Sequence, residues 1–228
     1  MGESLGTSGH DVAIRAVRIS SATQGVRVVA EDRADVEVDG NARVRVDLGV
    51  TTVDQVQGRL LVRVPSGVDV AVGASSGRVS IEGPVGAASV VTGSGRIQVA
   101  AARTLDVRSG SGRVEIGEVE GDCHIRVARG RVVVGRCGGA DVAGESGRIE
   151  VRQSFGPVHA HCVSGRIDVN MMTADDVDAE TVSGRVNVSL PPGVTPIADD
   201  DADDRADDES CCVVNARAVR GRVSVGSR

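Results

Sequence analysis

Two histidines two residues apart, His159 and His161 in "PVHAHCV", have spacing that suits metal chemistry. In an extended chain, side chains two apart share a face. Imidazole is a good ligand for zinc, nickel or copper. Asp141 and Asp178 stand at the same repeat offset as His159 and would supply carboxylate oxygens. The motif itself holds no third ligand, and Cys162 falls on the opposite face, so neither a metal nor another cofactor is expected. A second chemistry is suggested by "SGSGRVEIGEV", residues 109–119, which resembles a glycine-rich phosphate loop. No helix is expected after it, however, and no Gly-Lys-Ser/Thr follows. No G-x-S-x-G stands in a strand-to-helix context. No catalytic residues are assigned, and the protein is expected not to be an enzyme.

The third set is a column of arginines. Gly-Arg followed by Leu, Val or Ile occurs with its Gly at 58, 77, 95, 112, 130, 147, 165, 184 and 221. The steps between these glycines are 19, 18, 17, 18, 17, 18, 19 and 37. Six copies read Ser-Gly-Arg. A period near 20 marks a solenoid or array. The last step reads as two periods. Stacked repeats turn each offset into a column, so Arg59, Arg78, Arg96, Arg113, Arg131, Arg148, Arg166, Arg185 and Arg222 form a surface ladder.

The elements that must position these residues are strands. After each Arg, apolar residues alternate, as in Val114 and Ile116 or Ile167 and Val169. A second alternating run precedes each Gly, as in Leu105 and Val107 or Cys123 and Ile125. Period two with one apolar face predicts strands. The reading is all-β: a single-chain parallel β-solenoid with coils of about 18 residues and two short strands per coil, joined at Ser-Gly-Arg. Gly permits positive φ or close packing at the corner, and the Ser hydroxyl is expected to bond backbone there.

Five segments follow. Residues 1–10 are a flexible N-terminus, 11–57 a degenerate β section or cap, and 58–190 the regular repeats. Residues 191–210 form a loop with Pro191, Pro192, Pro196 and the acidic run "DDDADDRADDE", and 211–228 a terminal coil.

Composition agrees with a narrow aliphatic core. There is one Phe, no Tyr and no Trp. All 26 basic residues are Arg. The net charge of −6 is local: residues 199–209 hold eight acids and one Arg, leaving 25 Arg against 24 acids elsewhere. That balance excludes a globally basic nucleic-acid binder. The opening "MGESLGTSGHDVAIRAV" lacks a signal-peptide pattern and no run of 18 apolar residues occurs, so a cytoplasmic location without a membrane span is expected. Five cysteines without CxxC spacing read as free thiols.

The phrases "VRVPSGVDVAVGASSGRVSIEG" and "AETVSGRVNVSLPPG" resemble the bacterial "putative adhesin" β-strand-repeat family, a domain of unknown function, over roughly residues 25–228. The resemblance implies a β-solenoid and carries no catalytic or binding residues. Members often have Asp or Asn after the Gly, where this chain has Arg.

A further column reads Asp106, His124, Asp141, His159, Asp178, beside one with Arg126, His161 and Glu180. The expected function is a non-catalytic scaffold or interaction protein with an unknown macromolecular partner, protein or polyanion. Two alternatives are a polyanion-binding module using the Arg ladder, and a bactofilin-like structural protein self-associating end to end. The acidic run is expected to shield the C-terminal edge.

Overall fold

The computed structural model describes residues 14–22, 25–197 and 211–227. Their regular structure is entirely strand: β1 Ala16–Ala22, β2 Val26–Glu31, β3 Glu37–Asp47, β4 Val50–Pro65, β5 Asp69–Ala74, β6 Arg78–Ser154, β7 Val158–Met171, β8 Val177–Leu190, β9 Thr195–Ile197 and β10 Cys211–Ser227. They join in one sheet with the path β2-β4-β1-β5-β6-β7-β8-β10-β9, and β3 pairs with β4. No described helix is long and apolar enough to cross a membrane.

Most pairings are parallel, and like residues face like. β6 pairs β7 with Ala140 opposite Val158, an offset of 158 − 140 = 18. β7 pairs β8 with Val158 opposite Val177, an offset of 19. β6 itself spans 77 residues, far beyond the usual strand of about five or six. It turns back on itself: Gly95, Gly112, Gly130 and Gly147 each lie against the carbonyl of the repeated Gly before them.

The structure corrects the expectation of two short strands per coil. β7 and β8 run unbroken through Ser-Gly-Arg, with Gly165 opposite Gly184 and Arg166 opposite Arg185. What changes there is the phase of burial. In β7, Val158, Ala160 and Cys162 are buried, then Ile167, Val169 and Met171. The odd step of five residues swings the chain around a bend while both arms keep facing one core. At Gly112 the bend holds φ at +131°, a region that L side chains rarely adopt. Buried Thr92, Ser109 and Thr181, three residues before the Gly, donate to the carbonyls of Ser94, Ser111 and Ser183.

A wholly parallel sheet is also corrected. β3 lies antiparallel on β4, with Val44 opposite Val53, because a short turn through Leu48 and Gly49 reverses the chain. β1 and β2 are not at the end of the stack. Val26 of β2 sits opposite both Leu60 of β4 and Val79 of β6, so β1 and β2 are inserted between β4 and the later repeats. The final step of 37 is one rung rather than two: Gly221 lies opposite Gly184, and Val223 opposite Val186.

The core is mostly Val, Ile, Ala, Leu and Cys. Alternation around the Gly accounts for two of its walls. A third buried column, Val119, Cys137, Ser154, Met171 and Leu190, closes it. Ser154 fits because its hydroxyl donates to the Gly156 carbonyl at 2.9 Å. Burial raises the thiol pKa of Cys123, Cys137 and Cys162 above the ordinary value. The thiolate is the reactive form, so iodoacetamide at pH 8 should leave these three unmodified in the folded chain. Mass spectrometry should find them fully alkylated in urea; rapid labelling without urea would contradict the packing.

Candidate macromolecular interface

The repeated arginines do not form one continuous column. Arg148, Arg166, Arg185 and Arg222 occupy successive rungs in register. Between Arg59 and Arg78 the inserted β1–β2 layer places Gly25 at the arginine position, with the Leu60 amide donating to the Gly25 carbonyl at 3.0 Å. Arg59 is thus cut off from the rest of the ladder, a break that no local pattern signals.

Like charges about 4.8 Å apart need counter-charges. Arg113 reaches Glu115 of its own rung at 3.4 Å, and Gln98 donates to the same carboxylate at 2.9 Å. Arg131 reaches Glu150 of the next rung at 2.7 Å, and Arg152 joins it at 3.0 Å. Arg166 holds Asp168 at 2.8 Å, Arg148 approaches it at 4.0 Å, and Asn187 donates to it at 2.6 Å. The acids therefore bridge rungs. The pattern stops at the C-terminal end, where the matching position is Asn187 and then Ser224. No described carboxylate lies within 4.0 Å of Arg59, Arg78, Arg96, Arg185 or Arg222.

The hydrogen bond from Arg131, then that from Arg152, lowers the Glu150 pKa below its ordinary value of 4.5. A lowered carboxyl pKa stabilises the fold above the ordinary value and loses that contribution as pH falls through the folded value. Glu150→Gln should cost about 0.5 kcal/mol at pH 7, as exposed pairs do. Urea midpoints of the variant and wild type should converge below pH 4; a constant gap would contradict the pairing.

Asp141 sits opposite His159, and His159 opposite Asp178. His124 Nδ1 lies 3.5 Å from Asp141. His161 belongs to the neighbouring column, 3.9 Å from Glu180. Among the described residues, no three His, Cys, Asp or Glu side chains come together as a metal site. His159, His161, Asp141 and Asp178 are thus spread along a surface. The acidic run 199–209 lies outside the described residues.

Sequence reasoning missed one surface feature. Val163, Val182 and Val219, each two residues before its Gly, are exposed at 45, 44 and 77%. The signal was present as a valine out of phase with both buried runs. It lies beside the ladder, across the glycine column.

Residues 7–198 match the Toastrack DUF4097 family. The chain belongs to that family. Toastrack DUF4097 is a domain of unknown function, in accord with the likeness read from the repeat phrases. No match is found among curated proteins. Solved structures similar to this Toastrack chain include a "putative adhesin" from Parabacteroides distasonis at 12% identity, covering 95% of this chain and 94% of that one, TM-score 0.46. A second "putative adhesin", from Bacteroides fragilis, has 12% identity, coverage of 95% and 93%, and TM-score 0.42. A "putative cell adhesion protein" from Clostridium sporogenes has 7% identity, coverage of 96% and 95%, and TM-score 0.24.

Proposed function

We propose that this chain is a non-catalytic interaction scaffold, a solenoid of coils of about 18 residues that presents fixed columns of charge to a macromolecular partner. At about 4.8 Å per coil the stack is roughly 45 Å long. The observation that supports this most is register. Gly lies on Gly and Arg on Arg across β6, β7, β8 and β10, so side chains of one type are held at fixed spacing on a rigid ladder. Scaffolds that bind through repeated surfaces need that property, whereas catalysis needs unlike groups converging on one reacting atom.

The test is a binding panel with the full chain: an acidic polysaccharide, double-stranded DNA, anionic vesicles and an acidic extended peptide. Each is titrated at about 50 and 200 mM salt. Binding by at least one member, weakening as salt rises, is the expected result. No binding by any member at low salt would refute the reading. Filaments in negative stain, rather than isolated particles, would favour the self-assembling alternative.

A further inference from the structure

The two ends of the stack differ. At one end the outer side of β4 is covered by antiparallel β3. At the other, β10 pairs with β8 through Val214–Ser227 and with β9 only over Cys211–Val213. Among the described residues no strand lies on the outer side of β10 beyond Val213. The core is correspondingly open there. Val223 and Val225 are 38 and 37% exposed, while Val186 and Val188 one rung below are 0 and 2% exposed. An unpaired edge above a half-covered apolar row is a template for one more strand.

Chemistry narrows the occupant. Arg220 and Arg222 are exposed on this edge, and their position lies beyond the last bridging acid, Asp168. A second copy pairing antiparallel about Gly221 would set Arg220 and Arg222 beside the same residues of its mate, which like charges oppose. In a strand the side chains alternate in direction. A segment laid on Arg222–Ser227 therefore needs apolar side chains over Val223 and Val225, and acidic ones beside Arg222.

We propose that the outer edge of β10 over Arg222–Ser227 receives an extended partner segment of alternating acidic and apolar residues, added as one further strand. This assignment rests on the interaction reading above and names its partner class. The backbone supplies the affinity, and the alternate side chains supply the selectivity.

The probe is a fluorescent eight-residue peptide of alternating Val and Asp, followed by anisotropy with the full chain. It should bind, with affinity falling as salt rises. R220E/R222E should weaken it by about tenfold or more, whereas R78E, at the far end of the ladder, should leave it unchanged. N-methylation of alternate peptide amides should abolish binding, because main-chain hydrogen bonds hold an added strand. A Val–Lys peptide should not bind. Absence of binding, equal binding by the N-methylated or Val–Lys peptide, or insensitivity to R220E/R222E would overturn the proposal. So would tenfold tighter binding on deletion of residues 199–209, which would make the chain's own acidic run the occupant. If a polyanion binds while the Val–Asp peptide does not, this assignment falls and the interaction reading stands.

Discussion

Gly147→Ala should destabilise the protein strongly, although it adds a single methyl at the surface. A Cβ at this position would lie 1.8 Å from the Gly130 carbonyl oxygen, and the backbone φ is +135°. Both the overlap and the dihedral oppose a side chain. The first is an overpacking cost of about 1–3 kcal/mol, the second a strain cost of about 1–3 kcal/mol. Together they predict a loss of about 2–6 kcal/mol and a fall in melting temperature of roughly 10 °C for a chain of this size. Gly226→Ala is the control, since nothing lies within 4 Å of its would-be Cβ. It should melt within about 2 °C of wild type. The same clash recurs at Gly165, Gly184 and Gly221, where the oxygen of the glycine below stands 1.7–2.0 Å away. If Gly147→Ala melts like Gly226→Ala, the glycines do not stack as described.

Ile167→Asp and Val163→Asp should differ by several kcal/mol, although the two residues lie only four apart in one strand. Strict alternation along β7 would put both on one face. The bend at Gly165 separates them: Ile167 is 0% exposed and Val163 is 45% exposed. Ile167 sits between Ile149 and Val186, both buried. A carboxylate there has no partner, and its burial should cost about 3–5 kcal/mol. At Val163 the same change should stay within about 0.5 kcal/mol. Urea unfolding followed by circular dichroism measures both. Equal effects would mean that the phase of burial does not shift at the bend.

The Gly-Arg repeat and the apolar alternation on either side of it made the all-β class and the repeating strand legible from sequence. Both are local signals, because strand side chains alternate with a period of two wherever one face is buried. They also placed Asp141, His159 and Asp178 in one column, since equal offsets in stacked repeats must align. The neighbours of each rung were not legible. The position of β1 and β2 between β4 and β6, the antiparallel β3 on β4, and Gly221 resting directly on Gly184 are long-range pairings. The chain can reach each of them by loops of several lengths at similar entropic cost. The third wall was hidden for another reason: each repeat gives it only one buried residue, as with Val119, Cys137 or Ser154, and a single position has no period to detect.

The sequence by itself determined that an arginine recurs beside every bend, because each rung repeats the same turn. Only the tertiary structure decided which of those arginines are neutralised. Asp168 serves Arg148 and Arg166 from one place, and Arg222 is left at an open edge beyond the last acid. Coulomb energy depends on distance through space, and two rungs that touch are separated along the chain by 18 residues in one case and 37 in another.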